Sequence, residues 1–199
     1  TEADLAAIAA EHARRRLQLA RIDAELGDKS FQPEVQAPAT LVREAAAQYQ
    51  ANRDALAAAL AEERSRLVKA QQELAAARQQ KERLEAVLPH YREQDNAYEQ
   101  LVKEGFAGTL MGSDKRRERI EKEQELATQG YLIASAQASI DQSQKKLKQI
   151  EADYVRQLHA ERHEAQAQFD KLTQELQKQQ HRRELLELKA PQDGVIKDL

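Results

Sequence analysis

The side chains able to do chemistry are few and poorly grouped. His159 and His163 stand four residues apart, a spacing that puts two imidazoles on one helix face and can hold a metal ion, with Glu164 adjacent. The string is HAERH rather than HExxH, and no third ligand follows at a fixed spacing, so these residues read as solvated helix surface. His12, His90 and His181 are isolated. The chain has 34 carboxylates, but they are spread along its length with no Gly-rich phosphate loop and no nucleophile–base pair beside them. The expectation is therefore a protein that is not an enzyme, with no cofactor and no metal. Zero cysteines exclude disulfides, thiolate metal sites and Cys nucleophiles, and fit an oxidising compartment. Arg14-Arg15-Arg16 and Lys115-Arg116-Arg117 are short basic runs closely followed by acids. With a net charge of −3, no nucleic-acid partner is expected.

The elements that carry these residues follow from composition. Ala, Glu, Lys, Leu and Arg make 112 of the 199 residues, and Gln adds 25. That share of those five types marks coiled coils and long helices. Leu, Ile, Val and Phe sum to 40, and there is no Trp, which is too little for a thick core but enough for narrow seams between helices. No apolar run approaches 18 residues, so nothing here is expected to span a membrane. No signal peptide is evident at the start, and the chain begins at Thr1, which reads as a fragment or a processed form.

Helix breakers divide the chain. Gly27, Pro33 and Pro38 bracket one interruption, Gly105, Gly108 and Gly112 a second, and Pro191 and Gly194 a third. The expected layout is a first helix over 1–26 and a connecting loop over 27–38. A second helix over 39–104, kinked near Pro89, leads to a tip at 105–112. A third helix over 113–188 follows, then a return to β structure at 189–199. In the first helix Leu5, Ile8, His12, Arg15, Leu19, Ile22 and Leu26 form one stripe, and Gly27 is expected as the C′ residue. In the second, heptad spacing runs through Leu56, Leu60, Glu63, Leu67, Ala70, Leu74, Ala77, Lys81, Leu84, Leu88, Tyr91, Asp95, Tyr98 and Val102. Glu63, Lys81 and Asp95 are polar at seam positions, where they set register or mark a local error of register. In the third, Ile133 through Leu176 continue the pattern with a stutter at Ile150, Tyr154 and Leu158, and Ser113 or Asp114 is the expected cap.

At 1.5 Å per residue the third helix would be roughly 115 Å long and the second roughly 100 Å. The short link between them demands antiparallel neighbours. The first helix is expected to cover the base of the third, end to end with the second, with a loop and a short three-helix overlap over 27–52. The segment GFAGTLMG is the best functional candidate, because Phe106, Leu110 and Met111 exposed at a loop would make an apolar contact patch; a self-packed turn is the alternative.

The C-terminal string LKAPQDGVIKDL, with Ala190, Pro191, Asp193 and Gly194, resembles the start of the second half of a split lipoyl-type β domain. In that place after a long coiled coil, it resembles the hemolysin D-type membrane fusion proteins, or periplasmic adaptors. The opening TEADLAAIAAE is similar to the stretch where the first half-lipoyl strand hands over to the helices. Three helical segments are more like the type I secretion branch than the two-helix drug-efflux branch. The implied fold class is all-α: a long antiparallel coiled-coil hairpin of three segments with the start of a lipoyl-type domain.

The resemblance also implies a role. Such adaptors are anchored in the inner membrane of Gram-negative bacteria and reach through the periplasm. They join an ABC transporter to a TolC-like outer-membrane channel for export of proteins or peptides, and self-associate into a ring in the full-length protein. The candidate docking residues are at the tip: Phe106, Leu110 and Met111 from the apolar patch, and Leu101, Gly108 and Ser113 from the family's tip pattern, where Ser113 could stand in for the Ser only with a shifted loop. The family's Arg-x3-Leu-x6-Ser pattern carries over at Leu101 alone, since Ala97 and Gly108 stand at its other positions. The alternatives are a drug-efflux adaptor, or a coiled-coil scaffold with no transport role. The adaptor reading expects an upstream membrane helix and half-lipoyl stretch and β-rich sequence downstream; further heptads would favour the scaffold.

Overall fold

A computed structural model describes residues 2–33 and 36–186. Their regular structure is three helices: α1 (Glu2–Leu26), α2 (Ala39–Lys103) and α3 (Thr109–Leu186), with no strand among the described residues. The proposed lipoyl start, Ala190, Pro191, Asp193 and Gly194 included, lies outside them. Helix α2 runs on through Pro89. The third helix starts at Thr109, not at 113, so Ser113 and Asp114 lie inside it rather than capping it. Its first turn closes on Gly108, whose carbonyl accepts the Gly112 N–H at 3.2 Å.

The chain forms two compact units, 1–57 with 151–199, and 58–150. In the first, α3 runs antiparallel to α1. His12 Nε2 meets Thr173 Oγ1 at 3.0 Å, Gln18 Nε2 donates to Glu161 at 2.9 Å, and Tyr154 Oη donates to Glu25 at 2.8 Å. The start of α2 runs parallel to α1: Arg14 reaches Glu44 at 3.4 Å, Asn52 reaches Glu25 at 3.4 Å, and Arg53 pairs with Asp28. In the region of the loop and short three-helix overlap expected over 27–52, α1 and the start of α2 thus lie side by side. The chain doubles back between Leu26 and Ala39, and Phe31 stacks on Tyr49 at 5.9 Å while the Tyr49 hydroxyl donates to the Lys29 carbonyl at 2.8 Å.

Two neighbours bury more of α1 than one stripe would. Ile22 and Leu19 lie on the expected stripe, but Leu17, Arg21 and Glu25 are buried as well. The end of α1 also differs from expectation. The Lys29 N–H bonds the Ala24 carbonyl at 2.9 Å and the Asp28 N–H bonds that of Glu25 at 3.3 Å, the paired bonds of a Schellman cap. The left-handed residue is therefore Asp28, with φ of 50°, and not Gly27. Asp is among the few non-glycine types that adopt this conformation singly, and Arg53 holds its carboxylate.

His12 stacks on Phe169 at 4.5 Å between centroids. Thr173 Oγ1 donates to the Phe169 carbonyl at 2.8 Å, so it accepts from the imidazole Nε2–H. Burial, and then the Arg16 guanidinium, hold the His12 pKa below its ordinary value of 6.5. A depressed pKa stabilises the fold above the unfolded value, and that stability is lost as pH falls. The thermal midpoint should therefore drop as pH falls below about 6.5, the ordinary histidine value, and His12→Gln should flatten the drop, as read by circular dichroism across pH 5–8.

In the second unit α2 and α3 run antiparallel. Ala70 and Leu74 pack with Ala136 and Ile140, flanked by Leu67 and Ile133. Nearer the link between the helices, Arg119 Nε donates to Asp95 at 2.6 Å and Arg92 Nε to Glu123 at 3.4 Å. Leu84 and Leu88 are buried between these levels. The polar seam positions behave differently from one another. Asp95 is buried and paired with Arg119; Glu63 is buried beside Arg66 at 3.3 Å. Lys81 is exposed and pairs with Glu85 on its own helix at 3.8 Å, so the expected seam is corrected at that step. An ammonium at the end of four methylenes gains more from water than from a narrow apolar seam. Tyr91 and Tyr98 are half-buried, with Lys122 and Lys115 over their rings at 5.7 and 5.5 Å.

Candidate docking tip

The link between α2 and α3 is built by backbone hydrogen bonds. The Phe106 N–H bonds the Leu101 carbonyl at 2.9 Å and the Gly105 N–H that of Val102 at 3.2 Å, a second Schellman cap. Gly105 carries the left-handed φ of 78°, which glycine adopts without steric cost. The Ala107 N–H also reaches the Leu101 carbonyl, at 3.3 Å. Leu101 thus anchors the turn through its carbonyl.

A glycine sets the approach of the two helices at this end. A Cβ on Gly112 would lie 2.8 Å from Val102 Cγ2. Gly112→Ala should therefore lower the thermal midpoint despite alanine's better helix propensity, while Gly112→Ala with Val102→Ala should recover it. Equal midpoints for wild type and the single variant would contradict this close packing.

Phe106 is 81% exposed, Leu110 78% and Met111 51%. Leu101 is borderline, and Gly108 and Ser113 are exposed. All six tip residues expected from the sequence thus reach solvent. Phe106 and Gly108 lie on the link, Leu110 and Met111 on the first turn of α3, and Ser113 beyond that turn. Ser113 also lines a cleft with Glu99, Val102, Thr109, Gly112 and Arg116. The Val102–Gly112 contact was not evident from spacing alone; its signal is a glycine opposite the last seam valine.

Charges nearby are engaged on their own helices. Lys103 pairs with Glu99 at 3.5 Å, Lys115 with Glu118 at 3.6 Å, and Arg117 with Asp114 at 3.4 Å. Beside these pairs, the exposed apolar side chains at this end include Leu101, Phe106, Leu110 and Met111. His159 and His163 are exposed, and among the described residues no three His, Cys, Asp or Glu side chains group as metal ligands. No described helix is long and apolar enough to cross a membrane.

A family profile described as the long alpha-helical hairpin of AprE matches residues 1–182. The chain belongs to this AprE hairpin family. That agrees with its resemblance to the type I secretion branch of membrane fusion proteins. Among solved structures, the AprE-type hairpin of this chain is similar to the soluble domain of LipC, described as a membrane fusion protein of a type I secretion system. The identity is 18%, the TM-score 0.81, and the match covers 97% of this chain and 94% of that one. At that identity the likeness speaks for the fold. No curated protein matches.

Proposed function

We propose that this chain is the helical hairpin of a periplasmic adaptor in type I secretion, and that it bridges an inner-membrane ABC transporter to a TolC-like outer-membrane channel for protein or peptide export. Membership of the AprE hairpin family supports the branch, and the exposed Phe106, Leu110 and Met111 support the tip as the channel-facing end. The role is mechanical: it binds and spans, and no step of it needs a catalytic group or a cofactor. Leu101, Gly108 and Ser113 complete the proposed contact surface. The distinct first helix α1 favours the type I branch over the drug-efflux alternative, which expects a hairpin of two equal helices. In the full-length protein, anchored to the inner membrane, the hairpins self-associate in a ring; residues 1–199 by themselves are monomeric or weakly associated.

Photo-crosslinking in cells tests this directly. A benzophenone amino acid at Leu110 of the full-length protein should crosslink to an outer-membrane channel, and the same probe at the exposed Val68 should crosslink to it far less. Absence of channel adducts from Leu110, with the protein assembled on its transporter, would overturn the tip assignment.

A further inference from the structure

In the second unit α2 and α3 carry another pattern on the sides turned away from each other. On α3, Ile120, Gln124, Ala127, Tyr131, Ala134 and Ala138 follow at alternating 4 and 3 spacing. On α2, Ala61, Ser65, Val68, Gln72, Ala75 and Gln79 do the same. All of them are exposed, and none is charged, in a chain of which 33% of the residues are charged. The spacing puts each set on one stripe. Ala134 and Ala138 each stand two residues from the buried Ala136, and Ala75 and Gln79 two residues from the buried Ala77, about 200° around the helix. The stripes therefore lie on the two outer edges of the helix pair.

The outer face of a solvated helix normally carries its charges. Here it carries large apolar side chains instead: Tyr131 is 78% exposed, Val68 48% and Ile120 43%. Ala and Gln serve as good helix formers, but Tyr, Val and Ile do not, so helix propensity leaves these three unexplained. The edges also match in height. Val102 with Gly112, Asp95 with Arg119, and Tyr91 with Lys122 meet across the seam. The same steps set Leu74 opposite Ile140, two members of the buried cluster. Ala75 then stands level with Ala138, and Gln79 with Ala134, on opposite edges.

A closed ring has no rise from copy to copy, so an edge meets only what lies at its own height on the next copy. Each hairpin presents both halves of such a contact: the bulky Tyr131 among alanines on α3, and the small Ala75 between glutamines on α2. We propose that the outer stripe of α3 packs on the outer stripe of α2 in a second copy, head to tail, and that this is the lateral contact of the ring. This rests on the adaptor function proposed for the chain and adds the surface and its register. Alanine-rich stripes bury little area, so the contact joins copies already held side by side at the membrane and leaves residues 1–199 weakly associated by themselves.

Cysteine crosslinking in cells tests this. Residues 1–199 contain no cysteine, and the full-length adaptor is used with any other cysteine changed to serine. Ala75→Cys and Ala138→Cys lie on opposite edges, too far apart for a short bismaleimide to bridge within one hairpin. Together they should give a ladder of covalent multimers that extends beyond the dimer. Its yield should be at least tenfold that of either single variant, and of Ala61→Cys with Ala138→Cys, whose levels differ by about 21 Å. Equal yield from a single variant would show like edges meeting, and equal yield from the off-level pair would show chance collision; either overturns the head-to-tail contact. No ladder, while a benzophenone at Leu110 of the same protein still crosslinks to the channel, overturns the lateral face and leaves the adaptor function standing. Loss of both signals overturns both.

Discussion

Glu25→Ala should lower the unfolding free energy by about 3–5 kcal/mol, the largest single-residue effect expected in the first unit. Arg21 and Glu25 are each 3% exposed. Removing the carboxylate leaves a guanidinium buried against Glu161 alone, and strips Tyr154 and Asn52 of their acceptor. The cost is mostly that of the uncompensated groups left behind, not the net worth of the pair. Replacing both partners at once, Arg21→Met with Glu25→Leu, should therefore cost about 1 kcal/mol or less, or even stabilise. Urea titration followed at 222 nm checks both. A Glu25→Ala loss below about 1 kcal/mol would mean that water reaches the network.

Leu84→Ala should cost about 2–5 kcal/mol in the second unit. Leu84 is 1% exposed, and two facing helices have few neighbours able to relax into the space its removal leaves. Val68→Ala on the same helix, 48% exposed, should stay within about 0.5 kcal/mol. Similar losses for the two would show that the seam does not run through Leu84.

Much of the helical framework could be read from the chain because it rests on scarcity. Gly and Pro cluster where the helices stop, and seven-residue spacing marks Leu60, Leu74, Leu84 and Leu88, all buried. Part of what escaped the sequence depends on a second neighbour. A stripe describes a helix with one partner, so it misses the Leu17–Arg21–Glu25 face that the start of α2 covers. Spacing likewise cannot tell Asp95, which finds Arg119 across the seam, from Lys81, which turns to water. The left-handed turn residue went to Asp28 rather than Gly27 because a cap is set by which carbonyls are free, not by residue type alone. The tip was legible as a place, from its glycines and its bulky apolar groups; the Gly112–Val102 contact that shapes it was not, because it joins positions on two different helices.

In the proposed function, the exposed apolar tip of this hairpin meets an outer-membrane channel during export. The most direct functional measurement is secretion by the full-length adaptor carrying Phe106→Asp with Leu110→Asp. Both side chains are largely exposed, so the fold loses little by the change. A contact made by burying two apolar groups would instead have to desolvate two carboxylates. Secreted cargo should fall at least tenfold, with adaptor level, helicity and assembly on the transporter unchanged. Wild-type secretion by that variant would contradict the account.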